Sequence, residues 1–358
     1  MVYFLIFIFF SLLSLVNVAK LPANISLLIF FLSALILVSF AGFRGDIEGD
    51  YASYKDVFQQ TLGKYTPSSN IEPGYYYFNH LIITLGLPFQ IVIIFMAIFS
   101  IVPKLYFFNK YSYNFALSVL IYYCTTFFIF DFIQIRQAVA IAIFMISLKF
   151  IRDKKIWFYL FCIVLAAQIH ISAIILIPGY YFFNRTYSKK ILYGLIGICS
   201  VISILHITVP LVTFLLSIIP IPGFTETKLT FYQNSTDFSG VSIKQLLLAI
   251  LFVFIRDKYS SNDRMINIFI NLFVIGLVLA TLFNGISELS FRIKWYFLWT
   301  ESLLMVYVVR YISKYNLTII YTAYLFIFIL YGYSLISLLN ELASRSGTYI
   351  FPYKFFSQ

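Results

Sequence analysis

The chain has 358 residues, of which 61% are apolar, 21% are aromatic and only 11% are charged. Soluble domains are about 45–50% apolar and about 25% charged, so this composition excludes an ordinary soluble, disordered or disulfide-rich protein. Basic cytoplasmic loops explain the net charge of +11, and no nucleic-acid partner is expected. The sequence therefore predicts an all-α polytopic membrane protein.

Apolar stretches long enough to cross a bilayer recur along the chain, and lipid requires each of them to be helical. They lie near residues 1–19, 22–43, 88–108, 113–130, 134–151, 190–209, 241–255, 265–283, 290–310 and 318–339. Region 156–184 has basic flanks on both sides, which favours a hairpin of two short helices with its tip near Gln168 and His170. We therefore expect about 10–12 transmembrane helices in a single integral membrane domain, residues 1–358.

Two polar stretches interrupt the apolar pattern. Residues 44–87 are expected to form an outer loop followed by a re-entrant or interfacial helix, because Gly74 and Asn79 make its second half a poor lipid-facing span. Residues 210–240 are expected to form another outer loop. In this topology acids and bases balance on the outer side, whereas Lys and Arg dominate the inner loops.

Three arginines lie at or just inside helix ends on the outer face, namely Arg44, Arg136 and Arg292. An arginine within a span costs roughly 2.5–3.5 kcal/mol on insertion scales, so it usually has a partner or a function. The guanidinium binds two phosphate oxygens at once, and a helix N-terminus favours anions. We expect a site for a di-anionic pyrophosphate at the outer interface. The alternative for each arginine is interfacial snorkelling or a structural pair with a nearby acid.

Asp50, Glu72 and His170 are the candidate bases near this face, and the sequence does not rank them. Asp50 and Glu72 could equally be solvated loop acids or helix caps, and His170 could be a hydrogen-bonded core histidine. The segment 131–137 is also expected on the outer face, with Asp131 at its start. Because no residues show metal-ligand spacing and the cysteines lie in apolar runs, no metal or cofactor is expected.

The order and spacing of these residues resemble the EpsG-type polymerase family, the Wzy-like membrane proteins of bacterial polysaccharide assembly. The shared motifs are Arg then Asp-Tyr-x-x-Tyr, Glu-Pro-Gly-Tyr, Arg-Gln-x-x-Ala, Ala-x-x-x-His-x-Ser-Ala and a late Arg-x-x-x-Tyr. Here they fall on Arg44, Asp50, Tyr51, Tyr54, Glu72, Tyr75, Arg136, Gln137, Ala140, Ala166, His170, Ser172, Ala173, Arg292 and Tyr296. The resemblance extends from residue 44 to about residue 300. Within 200–250 no motif matches, and Lys228 and Tyr232 are the suggested substrate contacts there.

The resemblance implies a GT-C-like glycosyltransferase bundle with an outer-face cleft in the bacterial cytoplasmic (inner) membrane. It implies a metal-independent polymerase that transfers the growing glycan from undecaprenyl pyrophosphate to the next lipid-linked unit of O-antigen or a related surface polysaccharide. Catalysis is expected from Arg136, Arg292, Arg44, Glu72, Asp50 and His170, and substrate binding from Tyr51, Tyr54, Gln137, Tyr75, Tyr232 and Tyr296. Membrane lipid, a chain-length regulator and a flippase are further expected partners.

Two alternatives from other functional classes stay open. A flippase or transporter of lipid-linked oligosaccharides would also place charges inside a helical bundle, but it should show repeat-related halves, which the sequence lacks. A membrane O-acyltransferase would use a histidine such as His170, but it would leave the three arginines without a role.

Overall fold

A computed structural model describes residues 1–16, 22–61, 71–205, 241–259, 264–284, 287–314, 316–344 and 350–356. Helices account for most of these residues, and this part of the chain contains no strand, only an isolated bridge between Arg44 and Phe355. The all-α prediction is confirmed. Most of the predicted outer loop 210–240, including Lys228 and Tyr232, lies outside the described residues.

The helices are named here in chain order along the described residues. They are α1 (Val2–Val16), α2 (Ala23–Gly42), α3 (Gly49–Gln60), α4 (Pro73–Thr84), α5 (Phe89–Tyr111), α6 (Phe115–Tyr122), a π-helical segment (Tyr123–Ile133), α7 (Ile135–Arg152), α8 (Ile156–Ile169), a 3₁₀ helix (Ile171–Leu176), α9 (Gly179–Phe183), α10 (Lys189–Ile204), α11 (Ile243–Ile255), a 3₁₀ turn (Arg256–Lys258), α12 (Arg264–Leu282), α13 (Ser287–Leu298), α14 (Glu301–Ile312) and α15 (Leu317–Ser344).

Among the residues that the structure describes, five helical stretches are long and apolar enough to cross a bilayer: α2, α5, α6 with the π-helical segment, α12 and α15. A helix satisfies its own backbone hydrogen bonds, which is what lipid demands of a spanning segment. α1 and α8 are also apolar but shorter. The chain is therefore a multi-pass membrane protein, and the larger number of 10–12 spans stays a prediction.

The chain divides into two compact units, residues 1–177 with 312–358 and residues 178–311. In the first unit α7 packs against α5 and α8, and α5 also packs against α2. In the second unit α12 packs against α10, α11 and α13. The single integral membrane domain expected from the sequence stays a prediction.

The hairpin expected over 156–184 has its reversal where the sequence places it. Helix α8 ends at Ile169, and His170 takes an extended conformation with φ −152° and ψ 112° before the 3₁₀ helix begins. The two arms are joined by the Tyr159 hydroxyl, which donates to the carbonyl of Leu176 at 2.5 Å. His170 therefore stands at the tip of the hairpin.

The stretch 290–310, expected as one continuous span, is two helices. α13 ends at Leu298 and α14 begins at Glu301, where the buried carboxylate pairs with Lys244 at 3.0 Å. A carboxylate at a helix start is stabilised by the free N–H groups of the first turn. The polar residue within the apolar run thus marks a helix boundary that apolar length alone does not show.

Asp131, expected on the outer face, is buried in the π-helical segment. The Lys104 ammonium on α5 pairs with its carboxylate at 2.6 Å, and the Ser100 hydroxyl donates to the same oxygen. A buried charge needs such a partner because desolvation is costly. The placement of Asp131 on the outer face stays a prediction, and its partner lies 27 residues earlier in sequence.

Candidate active site

A single carboxylate, that of Glu72, joins three parts of the first unit. Glu72 precedes α4, whose first residue is Pro73, a residue favoured there because its fixed φ suits a helix start. One carboxylate oxygen forms an ion pair with the Arg136 guanidinium of α7. The other lies 3.1 Å from His170 Nδ1 and accepts the Ile171 backbone N–H at 3.2 Å. Three donors from α7 and the hairpin tip therefore converge on one acid.

These partners decide the protonation of Glu72. Burial by itself raises the pKa of its carboxyl, but the hydrogen bond to His170 and the charge of Arg136 outweigh burial and lower the pKa to about 2. Glu72 is therefore ionised at neutral pH. A carboxylate that holds its proton so weakly and accepts three donors is a poor general base and a good orienting group.

Arg136 lies in the first turn of α7 between an acid and two aromatic rings. Its guanidinium carbon is 5.8 Å from the ring centre of Tyr54 and 5.5 Å from that of Tyr75. Cations within about 6 Å of a ring face are attracted by the ring quadrupole. The Arg136 side chain is 27% exposed. This partial exposure, together with a helix start, suits a site for an anion.

The start of α4 reaches the hairpin because residue 74 is glycine. A Cβ on Gly74 would lie 2.7 Å from the carbonyl oxygen of Gln168 at the end of α8. Glycine therefore allows the two backbones to meet, and this contact brings Glu72 to the hairpin tip. The Glu-Pro-Gly-Tyr pattern combines a carboxylate, a helix start and a close backbone approach in consecutive residues.

Arg44 is placed differently from Arg136, because it is fully buried. Its guanidinium donates to the carbonyl of Ala41 at 2.8 Å and pairs with Glu48 at 3.3 Å. It also lies over the ring of Phe132, 5.1 Å from the ring centre. These contacts favour the structural pair that the sequence left as the alternative for each arginine.

Glu48 is a site residue that the sequence analysis did not single out. Its second carboxylate oxygen accepts the backbone N–H of Asp50 at 2.7 Å and so caps α3. Burial raises the pKa of Glu48 to about 7, although the charge of Arg44 opposes the shift. The spacing of four residues between Arg44 and Glu48 was the available signal for this pair.

The predicted substrate-binding tyrosines of the first unit line one aromatic cluster. Tyr51, Tyr54 and Tyr75 are all buried in a core shared with Phe89 and Ile135. The rings of Tyr54 and Tyr75 meet edge to face, with centres 6.2 Å apart. These side chains therefore hold the start of α7 against α3 and α4, and their contact with substrate stays a prediction.

Gln90, another residue that the sequence analysis passed over, connects Tyr51 with the Arg44 loop. The Tyr51 hydroxyl donates to the side-chain oxygen of Gln90 at 3.0 Å, and the side-chain amide of Gln90 donates to the Arg44 carbonyl at 3.2 Å. These bonds connect the first-loop motif to α5.

Two further predicted site residues lie in the first unit. Asp50, in the first turn of α3, is partly buried, and Gln137 is buried directly after Arg136.

The remaining predicted site residues lie elsewhere. Arg292, partly buried, and Tyr296, buried, lie one turn apart on α13 of the second unit. The convergence of Arg44, Arg136 and Arg292 on one diphosphate stays a prediction, and Tyr232 lies outside the described residues. In the described part of the chain no group of three His, Cys, Asp or Glu side chains could hold a metal ion.

The model of the EpsG family matches residues 27–355, nearly the whole chain. No curated protein and no solved structure gives a significant match.

Proposed function

The chain belongs to the EpsG family, and from this premise we propose that it polymerises lipid-linked oligosaccharide repeat units. Membership in the family supports a polysaccharide polymerase-like membrane protein. In the proposed reaction the growing glycan leaves undecaprenyl pyrophosphate and is joined to a hydroxyl of the next lipid-linked unit. The polymer would be O-antigen or a related surface polysaccharide, made at the outer face of the bacterial cytoplasmic membrane.

One observation carries this proposal: residues from four separate motifs meet around Glu72. Arg136 and His170 bind its carboxylate, and Tyr54 and Tyr75 pack against Arg136. Arg136 follows Glu72 by 64 residues and His170 follows it by 98. A cation, an orienting acid and a histidine at one place form a recognisable arrangement for group transfer.

Charge neutralisation is the main chemical demand of this reaction. The diphosphate departs as a stabilised anion, so it needs preorganised cations more than it needs a proton. Glu72 contacts one terminal nitrogen of Arg136, whose guanidinium has five donors in all. We assign Arg136 to the diphosphate, with Arg292 as the second cation, and a metal ion is not required in this scheme.

Arg44 receives a supporting role in this proposal. Because its guanidinium is buried against Glu48 and Phe132, it stabilises the loop that leads into α3. Tyr51, Tyr54, Gln137, Tyr75, Tyr232 and Tyr296 are proposed to contact the glycan or to shape its site. Membrane lipid is the environment of the reaction, and a flippase and a chain-length regulator are proposed to act with the polymerase.

The lipid-linked glycans of a strain that lacks this protein test the function. A polymerase predicts the accumulation of single repeat units at the outer face. Unflipped precursors would instead indicate a flippase, and full-length but unacylated chains would indicate an O-acyltransferase. Either of these two results would contradict the proposal.

A further inference from the structure

His170 has one ring nitrogen bound and the other without a partner. Nδ1 lies 3.1 Å from the Glu72 carboxylate. Nε2 is buried and forms no hydrogen bond within the described residues, and the whole residue is only 8% exposed. A histidine that served packing alone would be expected to have both nitrogens satisfied, because an unpaired buried polar atom costs free energy. The unpaired Nε2 therefore points to a ligand that completes its hydrogen bonding.

The bound nitrogen fixes the chemistry of the unbound one. Glu72 is ionised and can only accept, so the neutral imidazole carries its proton on Nδ1 and has a lone pair on Nε2. The Arg136 guanidinium, from α7, pairs with the same carboxylate, and its positive charge disfavours protonation of Glu72. A carboxylate, an oriented imidazole and an available lone pair make up a general base with its orienting group.

We propose that His170 is the general base of the transfer reaction, with Glu72 as its positioning residue. This assignment rests on the proposed function. As the acceptor oxygen forms its bond to the anomeric carbon, the hydroxyl proton passes to Nε2 of His170. The bond from that carbon to the lipid diphosphate breaks, and its electron pair leaves with the diphosphate, next to Arg136. Glu72 stabilises the resulting imidazolium through Nδ1.

Geometry also separates the two halves of the reaction. Arg136 contacts one oxygen of the Glu72 carboxylate, and His170 contacts the other. Arg136, assigned to the leaving group, and His170, assigned to the acceptor, are thus bound to different oxygens of one carboxylate. Asp50, the remaining acid among the candidate bases, lies in the first turn of α3.

The test measures chain elongation by the purified full-length protein. The probe is the lipid-linked repeat units extracted from a strain that lacks this protein. His170→Gln preserves the size of the side chain and an N–H for Glu72, but it removes the basic nitrogen. We expect kcat to fall by about 10²–10⁴-fold with little change in KM. The matched control is His80→Gln, since His80 is exposed on α4 and stacks on Tyr76, and this variant should keep its activity.

The pH profile distinguishes a base from a merely structural histidine. For the wild-type protein kcat should fall at acid pH, and His170→Gln should lose this acid limb. Glu72→Gln should lower kcat with little change in KM, because a neutral amide orients and stabilises the imidazolium less. His170→Ala should recover activity when imidazole is added. A melting curve like that of the wild type shows that this variant is folded.

Two results would overturn the assignment, and they are distinguishable. If the wild-type protein elongates chains while His170→Gln keeps the same rate and the same acid limb, the proposed function stands and the base assignment is wrong. If the wild-type protein elongates no chains from these units, the proposed function fails and the assignment fails with it.

Discussion

Arg136 and Glu72 form an ion pair across 64 residues of sequence, and His170 binds the same carboxylate from the hairpin tip. Arg136 is the cation expected to bind the diphosphate, and Glu72 is one of the candidate general bases. Because Glu72 is engaged by three donors, its contribution is to hold the other two side chains in place.

Replacing Arg136 should stop chain growth without preventing membrane insertion. We expect Arg136→Ala to reduce elongation by at least about 100-fold, because preorganised cations are a large term in stabilising the departing anion. Arg136→Lys should also fail, since lysine cannot bind two phosphate oxygens in a fixed fork. The readout is glycan length in a deletion strain that carries each variant.

Arg152→Ala is the matched control for Arg136. Arg152 lies at the opposite end of α7, where it pairs with the exposed Asp153. This variant should support normal chain length. Normal chain length with Arg136→Ala would remove Arg136 from the diphosphate site.

Glu72→Gln should destabilise the protein at neutral pH, and the loss should shrink in acid. The folded-state pKa of Glu72 is lowered from 4.5 to about 2, so its stabilisation is full above about pH 4.5 and is lost as pH falls towards 2. The shift corresponds to at most about 3 kcal/mol. The free energies of unfolding of the purified variant and wild type, measured across this pH range, check the prediction. A difference between them that stays constant with pH would contradict it.

Glu48→Gln should show the opposite pH dependence. Burial raises the folded-state pKa of Glu48 to about 7, so the contribution of this one group to the free energy of unfolding is greatest below about pH 4.5. As pH rises through 7, this stability is lost in the wild type but not in the variant. Between pH 5 and 8 the free energy of unfolding of the variant should therefore rise relative to that of the wild type, in the same unfolding measurement. A relative loss over this range would show that the pair with Arg44 outweighs burial.

Gly74→Ala should destabilise the first unit by about 1–3 kcal/mol, because the new methyl group meets the carbonyl of Gln168 at 2.7 Å. Gly194→Ala is the control, since a Cβ there meets nothing within 4 Å and α10 should gain about 1 kcal/mol from the better helix former. Thermal unfolding compares the two. Equal effects would mean that the approach of α4 to α8 tolerates a side chain.

The buried pair of Lys104 and Asp131 should behave as a unit. Removal of one partner leaves an uncompensated charge, so Lys104→Met or Asp131→Leu should cost about 3–5 kcal/mol, whereas the double variant should cost much less than the sum. A double-mutant cycle of unfolding free energies measures the difference. Additive effects would show that the two charges are independent.

Much of the fold could be predicted from the sequence because bilayer spans have a strong signal. The reversal at His170 followed from basic flanks and apolar length. The helix break before Glu301 and the burial of Asp131 could not be predicted in the same way, since each depends on a partner far away in sequence. Apolar length shows that a segment lies in lipid, but not which polar side chains meet within it.

The candidate site was predicted in part. Arg136, Glu72 and His170 could be selected from residue type and position, and the structure brings them together. Their separate roles could not be predicted. Only the contacts show that the Glu72 carboxylate already accepts several donors, whereas one nitrogen of His170 is unpaired. The spacing of Arg44 and Glu48 is visible in the sequence, but the full burial that separates Arg44 from Arg136 is not.

The most direct measurement is elongation by the purified protein, supplied with lipid-linked repeat units in the presence of a chelator. The proposed function predicts a ladder of longer lipid-linked glycans, with one undecaprenyl pyrophosphate released for each unit added. No ladder in the absence of chelator would contradict the polymerase, and a ladder that chelation abolishes would contradict a metal-independent reaction.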